Sequence, residues 1–336
     1  MTAVDESFAQ RLDAFLAARG ATRDKVLDAV GEPFGPPLLV VAAGSILHGF
    51  GNRRSDIDVN VVVDRGVTRL PITSYAHDVM IDTKYFAPAE VDDWVTTLRD
   101  RPRPPGRLDR EQWAVRLAAV INCTRFGHGL VLRAQDGWHR WASALGEPWL
   151  AASVAQWWNV ESIRRQVAAR WLADTRPLLA AQRQYEAVLA ALEGRAAAAG
   201  QLHYGAKWIG EKLRRLGDRA ALDALRSMVR APTAASEAAD YLARGTAILD
   251  EFRHREESDL GAQLWYLPGV ATRELDARTF VTRWEMRGFE LRGSTPRVSK
   301  VAEPIWQGGI GEPLPPNIRS LFTEDMLWLS IVGTTS

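Results

Sequence analysis

Residues 38–63 read LLVVAAGSILHGFGNRRSDIDVNVVV, two apolar runs separated by a polar loop. The first run, Leu38 to Ala43, is short and continuously apolar, which is typical of a buried strand. It leads directly into the pair Gly44-Ser45, a composition that favours a turn. The second run, Ile57 to Val63, has the β-branched composition of another strand. This segment therefore predicts two strands joined by a glycine-containing loop.

The neighbouring sequence extends this pattern in both directions. Apolar residues at helical spacing predict two short helices before the first strand, with Gly20 and Gly31 as their stops. The run Val79–Phe86 predicts a third strand, which follows a loop that contains Gly66 and Pro71. We expect these elements to form an α/β (α+β) domain with a small mixed sheet.

The domain boundaries are predicted from changes in composition. A helix is expected from Ala89 to Leu98, and RPRPPG at residues 101–106 has the Pro and Gly density of a linker, so the first domain is assigned to residues 1–106. Residues 107–257 are rich in Ala, Leu, Arg and Glu, with apolar residues at intervals of three and four, which predicts an α-helical bundle domain. Gly and Pro return in residues 258–336, which predicts a loop-rich C-terminal extension.

Composition restricts the class of protein and its partners. Hydrophobic residues make up 46% and charged residues 25%, which is typical of a globular protein and excludes a disordered or fibrous one. The formal net charge of +1 gives no overall positive field, so long nucleic acid is an unlikely partner. The single cysteine, Cys123, excludes an intramolecular disulfide, and the start MTAVDESFAQ lacks signal-peptide features. No apolar run approaches the length of a membrane span, so we expect a cytoplasmic protein.

Three aspartates form the pattern that carries chemistry. Asp56 and Asp58 are two residues apart, so on a strand they point to the same face while Ile57 points into the core. Asp82 lies among apolar residues of the third strand, where an unpaired carboxylate would cost several kcal/mol. Mg²⁺ prefers hard oxygen ligands, and three carboxylates on neighbouring strands can hold two ions about 3.5 to 4 Å apart. The pattern predicts a site for magnesium.

The Gly44-Ser45 turn supplies a phosphate-binding element. Glycine lets the backbone approach a phosphate closely, and the Ser45 hydroxyl with nearby backbone N–H groups can bond phosphate oxygens. A strand, a Gly-Ser turn and a carboxylate pair together favour chemistry on a nucleoside triphosphate.

Gly44-Ser45, Gly49 and Ser55-Asp56-Ile57-Asp58, followed by Asp82, resemble the signature of the polymerase-β-like nucleotidyltransferase superfamily, in particular its compact antibiotic-modifying and toxin-type members. The resemblance implies that Asp56 and Asp58 ligate two Mg²⁺ ions. It also implies that Asp82 ligates the catalytic ion and helps to deprotonate the acceptor. The catalytic and metal residues are therefore expected to be Asp56, Asp58 and Asp82, and Gly44, Ser45 and Ser55 are expected to contact the nucleotide.

A second wall of the nucleotide site is predicted in the helical domain. The segment HYGAKWIGEKLRRLG, from His203 to Gly217, is predicted to be a helix on which Lys207 lies one turn after Tyr204. By the resemblance, this lysine would bind the triphosphate and this aromatic ring would stack on the base. A solvated basic helix face is the alternative explanation for the segment.

These expectations combine into an ATP-binding transferase. It would move a nucleoside monophosphate from an NTP, with ATP as the expected donor, to a hydroxyl or similar nucleophile of a small molecule and release pyrophosphate. One alternative is nucleotidylation of a protein or of a tRNA end, and another is a nucleotide-binding protein of the same fold without turnover. The plainest alternative makes Asp56 a turn residue and pairs Asp82 with Lys84 or an arginine.

Overall fold

The computed structural model describes residues 3–65, 71–100, 103–146, 148–253, 259–276, 278–284, 287–291 and 303–334. The chain divides into two compact units, each assembled from several segments. The first unit comprises Met1–Pro102, Arg116–Val154 and Ala197–Trp208. The second unit comprises Arg103–Val115, Ala155–Ala196 and Ile209–Ser336. The predicted division into residues 1–106, 107–257 and 258–336 stays a prediction.

The first unit is built around a five-stranded mixed sheet. Its strands are β1 (Leu39–Ala43), β2 (Ile57–Val62), β3 (Ile72–Ala76), β4 (Val79–Phe86) and β5 (Leu130–Ala134). Their order is β3-β4-β2-β1-β5, in which β2 and β4 are parallel and the other neighbours are antiparallel. The predicted mixed sheet is confirmed, but β3 and β5 were not predicted.

In the sequence, helices lie before, between and after the strands of this sheet. They are α1 (Ala3–Ala17), α2 (Arg23–Val30), α3 (Pro88–Arg99), α4 (Arg110–Gly127) and α5 (Trp138–Leu145). The two predicted N-terminal helices are thereby confirmed, and α2 ends at Val30 with Gly31 as its C-cap, whose N–H bonds the Leu27 carbonyl. Buried side chains of α1 and α2, including Leu12 and Val26, form one apolar core with residues of the sheet.

The register of the two parallel strands sets the direction of their side chains. Ile57 lies opposite Ile81, and both are almost fully buried in the apolar core. Asp58 therefore lies opposite Asp82 on the other face, since side chains alternate along a strand. This register brings two carboxylates from distant parts of the sequence to one place.

The second unit contains a helical region followed by strands. The helical elements are α6 (Pro148–Leu172) and α7 (Pro177–Ala198), which lie mostly in this unit, and α8 (Ile209–Arg215), α9 (Arg219–Val229) and α10 (Ala238–Phe252). Buried residues of α7 to α10, such as Leu192, Leu213 and Leu249, share one core. The helices predicted in residues 107–257 are present, but β5 interrupts them and α5 lies in the first unit.

The predicted loop-rich extension is wrong for most of the described C-terminal residues. These residues form β6 (Leu260–Tyr266), β7 (Val270–Leu275), β8 (Arg278–Arg283), β9 (Arg287–Leu291), β10 (Trp306–Gly309), α11 (Pro316–Thr323) and β11 (Leu327–Gly333). The strands make two sheets, β10-β6-β11 and β7-β8-β9. Some of the Gly and Pro residues, such as Pro268 and Gly269, occupy turns, whereas Gly308 and Gly309 lie within β10.

The helix predicted from His203 to Gly217 is shorter than expected. A 3₁₀ turn covers Ala206–Trp208 and α8 begins only at Ile209, so Tyr204 and Lys207 do not share a helix face. Lys212 is fully buried and its Nζ lies 2.6 Å from Glu193 Oε2, which excludes a solvated position for this lysine. Among the described residues, no helix is both long and apolar enough to cross a membrane.

Candidate active site

The three predicted carboxylates lie along two adjacent strands, with Asp56 and Asp58 at the start of β2 and Asp82 in the middle of β4. Asp58 is on β2, Asp82 is directly opposite on β4, and Asp56 precedes β2 by one residue. All three side chains are half-buried, while the intervening Ile57 is in the core. The predicted grouping of the carboxylates is therefore observed in space.

Crowding of negative charge distinguishes Asp56. Partial burial and the neighbouring carboxylates of Asp58 and Asp82 raise the pKa of the Asp56 carboxyl above its usual range, against the lowering effect of a backbone hydrogen bond. The Asp82 carboxylate is bound by the neighbouring strand β3, where the Thr73 hydroxyl donates a 2.8 Å hydrogen bond to Asp82 Oδ1. The cluster therefore carries excess negative charge that a cation would neutralise.

Arg125, in the last turn of α4, faces this cluster. Its Nη2 lies 3.3 Å from Asp58 Oδ1. A Cβ on Gly129 would overlap Val41 on β1 and the carbonyl oxygen of Arg125, so the glycine lets the end of α4 pack directly on the sheet. Lys84 lies on the same face, and burial followed by repulsion from Arg125 lowers the pKa of its amine.

The Gly44-Ser45 turn is fitted to Asp58. Gly44 has φ +96°, and a Cβ at this position would lie 2.5 Å from Asp58 Oδ2. The Ser45 carbonyl accepts backbone hydrogen bonds from Phe50 (2.8 Å) and Gly51 (3.0 Å), which close the loop after the turn. Glycine is therefore required here by the Asp58 carboxylate, a reason that the sequence did not indicate.

These elements surround a cavity of about 150 Å³ within the first unit. It is lined by Ala43, Gly44, Ser45, His48, Asp56, Asp58, Thr124, Arg125, His128, His203, Tyr204 and Lys207. This volume is below the roughly 300 Å³ of the smallest usual ligand pockets, so the cavity suits a group of phosphate size better than a whole nucleotide.

The structure brings most of the predicted site residues to this cavity. Gly44, Ser45, Asp56 and Asp58 line it from the sheet side, and Tyr204 and Lys207 line it from the segment that returns to the first unit. Ser55 does not line the cavity, and its hydroxyl accepts a hydrogen bond from the N–H of Asn52.

Asp82 lies beside the cavity rather than on its lining, next to Asp58 in the sheet. Arg53 and Arg54 are exposed and are likewise outside the lining.

Aromatic rings of His48, His203 and Tyr204 lie on the lining of the cavity, and the Phe50 and Trp208 rings lie next to them outside the lining. The His48 and His203 ring centroids are 4.9 Å apart, and Phe50 stacks on Trp208 at 5.2 Å with 14° between the rings. Lys207 Nζ lies 5.5 Å from the centroid of the Trp208 ring, which orients the ammonium through a cation–π contact.

Sequence reasoning missed the contribution of α4 to this site. Thr124 and Arg125 line the cavity from α4, a helix that had been assigned to the helical domain, and His128 lines it from the position directly after that helix. Burial lowers the pKa of His128, so its imidazole favours the neutral form. No local motif marks these residues, because it is the pairing of β5 with β1 that brings α4 to the site.

The donor chemistry of the cluster fits Mg²⁺, which binds through one or two carboxylates when water and substrate phosphates complete its octahedron. In the described part of the chain, no group of three or more His, Cys, Asp or Glu side chains is placed to hold a metal ion by itself. A Mg²⁺ ion at this site would therefore be held by two carboxylates of the cluster together with oxygen atoms from the substrate.

One comparison with known proteins matches the part of the chain that holds the three carboxylates. A family model described as "Nucleotidyltransferase domain" matches residues 23–111, which include all three aspartates. A solved structure of a nucleotidyltransferase-like protein from Exiguobacterium sibiricum is 12% identical, covers 70% of this chain and 75% of its own, and has a TM-score of 0.39. A search of curated proteins finds no significant match. Residues 23–111 of this chain thus match the nucleotidyltransferase domain family.

Proposed function

We propose that the protein transfers a nucleoside monophosphate from an NTP, with ATP as the donor, to a hydroxyl or similar nucleophile of a small molecule. The observation that carries this proposal is the register of β2 and β4, which sets Asp58 beside Asp82 with Asp56 one residue before the strand. Mg²⁺, as two ions, would stabilise the charge that develops on the α-phosphate and on the leaving pyrophosphate. The family match supports nucleotidyl transfer in general terms.

In this proposal the acceptor oxygen attacks the α-phosphorus, the bond from that phosphorus to the β-phosphate oxygen breaks, and pyrophosphate leaves. Asp82 accepts the proton of the acceptor hydroxyl, and the Thr73 hydroxyl fixes the orientation of its carboxylate. Lys207 and the Gly44-Ser45 turn hold the triphosphate. Most of the rate enhancement comes from positioning and electrostatics, because phosphoryl transfer asks for little covalent chemistry from the protein.

The net charge of +1 supports a small acceptor rather than a tRNA end. The cytoplasmic location stays a prediction. The test is to incubate the protein with each of the four NTPs, Mg²⁺ and a pool of metabolites, and to search by mass spectrometry for an NMP mass increment.

An NMP increment on a metabolite, absent when Asp58→Asn replaces the wild type, is the expected result. The same increment on protein or RNA would instead support the macromolecular acceptors. If no NTP gives an NMP increment or releases pyrophosphate, the proposal is contradicted and a non-catalytic nucleotide-binding protein is favoured.

A further inference from the structure

Arg125 provides a cation that already lies against the carboxylate cluster. We propose that Arg125 couples metal binding to nucleotide binding, by holding Asp58 in the nucleotide-free protein and transferring to the triphosphate when metal and NTP bind. This inference rests on the proposed function and adds to it the residue that links the two ligands.

The ion pair between Arg125 and Asp58 has the geometry of an exchangeable contact. Its Nη2–Oδ1 distance of 3.3 Å is longer than the roughly 2.7–2.9 Å of a fully formed charge-assisted hydrogen bond. The Arg125 side chain is 26% exposed and that of Asp58 is 28% exposed, so water reaches both groups. A contact of this kind is weak enough to be replaced by a better partner.

The surroundings of Asp58 place the arginine in competition with a metal ion. Oδ2 of Asp58 faces the backbone of Gly44, where even a Cβ would not fit, and Oδ1 faces Arg125. A divalent cation on this carboxylate would lie close to the guanidinium, and the two positive charges repel. The arginine is therefore expected to weaken the binding of metal without nucleotide.

When a triphosphate is bound, Arg125 is no longer expected to weaken the binding of the metal. Arg125 and Lys207 both line the cavity, together with the Ser45 turn, so incoming phosphate oxygens would lie near two cations. The planar guanidinium matches phosphate geometry with two parallel hydrogen bonds, which a lysine cannot reproduce. Only the side chain has to move, because Gly129 lets the end of α4 pack tightly on β1.

Such coupling is reciprocal by thermodynamic necessity: if NTP strengthens metal binding, the metal strengthens NTP binding by the same factor. The two ligands are therefore predicted to bind together. Removing the guanidinium should change the two affinities in opposite directions, which a purely structural role for Arg125 would not do.

The test measures two affinities without turnover, for the wild type, Arg125→Gln and Arg125→Lys. Mn²⁺ alone is titrated by electron paramagnetic resonance, and α,β-methylene-ATP with Mg²⁺ is titrated by calorimetry. Arg140→Gln is the matched control, because Arg140 is an exposed arginine of the same unit that does not line the cavity.

Arg125→Gln should bind Mn²⁺ about two- to fivefold more tightly, as expected for loss of a partly exposed ion pair. The same variant should bind the nucleotide analogue at least about tenfold more weakly. Arg125→Lys should keep the wild-type Mn²⁺ affinity and still lose nucleotide affinity, because it retains the charge but not the planar fork. Arg140→Gln should match the wild type in both titrations.

Unchanged or equally lowered affinities in Arg125→Gln would overturn the inference. If Arg125→Gln does not fold, the inference is overturned instead by an Arg125→Lys variant that binds the nucleotide analogue as tightly as the wild type. If the wild type turns over NTP and Arg125→Gln has the same two affinities as Arg140→Gln, the coupling is contradicted but the proposed function is not. A wild type that binds no nucleotide contradicts the proposed function as well.

Discussion

Gly44→Ala is expected to damage catalysis far more than stability. The φ of +96° is unfavourable for any residue with a side chain, at a cost of about 1–3 kcal/mol in the free energy of unfolding. In addition, the new Cβ would lie 2.5 Å from Asp58 Oδ2, whereas ordinary van der Waals contact begins at 3.4 Å. The carboxylate must therefore move by almost an ångström, and a misplacement of about 1 Å in an active site can cost about 100-fold in rate.

A matched control separates this displacement from backbone strain. Gly35 has φ +98°, almost the same as Gly44, but nothing lies within 4 Å of a Cβ built on it. Gly35→Ala should therefore lose about 1–3 kcal/mol in urea unfolding and keep its turnover. Gly44→Ala should show a similar loss of stability and lose about 100-fold in the rate of pyrophosphate release. Wild-type turnover in Gly44→Ala, or equal impairment of both variants, would refute the reasoning.

Variants at three further positions, Asp82, Lys207 and Lys212, test other parts of the account. Asp82→Asn should lower kcat strongly while calorimetric NTP affinity stays near that of the wild type, and an equal loss of affinity would contradict its role as the proton acceptor. Lys207→Ala should raise KM for NTP more than it lowers kcat, since a triphosphate-binding lysine acts in ground and transition states alike; unchanged kinetics would remove it from the site. Lys212→Met should lower the free energy of unfolding by about 3–5 kcal/mol, because it leaves Glu193 buried without its cation. The double variant Lys212→Met/Glu193→Leu should recover most of this loss in urea unfolding, and a mild effect of the single variant would show that the pair is not coupled.

The part of the site predicted from the sequence is the part encoded locally. The apolar run of β1, the turn at Gly44 and the alternation through Asp56, Ile57 and Asp58 all lie within one short segment. Asp82 could be added because a polar residue inside an apolar strand is conspicuous. Strand periodicity, the position of Asp82 and the family resemblance together therefore predicted the carboxylate cluster.

The rest depended on pairings between residues distant in sequence. Arg125 reaches Asp58 only because β5 pairs with β1, and β5 is a short strand inside a region of helical composition. The edge strand β3, ITSYA, is mostly exposed and lacks the apolar character that marked the other strands, yet it supplies Thr73. Composition alone could not identify either strand, because each is specified by its partner.

The C-terminal residues show the same limitation. The sequence LGAQLWY of β6 contains a glycine and no regular alternation, but it is the central strand of a three-stranded sheet and is almost entirely buried. Pro268 and Gly269 occupy a turn, whereas Gly261, Gly308 and Gly309 lie within strands, so the density of Gly and Pro did not distinguish loops from short strands. The number of turn residues did not predict the length of the elements between them.

The central claim is that the acceptor attacks the α-phosphate. Its most direct test is to follow the label when the protein, Mg²⁺ and an accepting metabolite are given ATP labelled at either the α- or the γ-phosphate. Label from the α-position should appear on the acceptor and label from the γ-position in pyrophosphate, and both should be lost in Asp58→Asn. Label from the γ-position on the acceptor, or equal transfer by Asp58→Asn, would contradict the account.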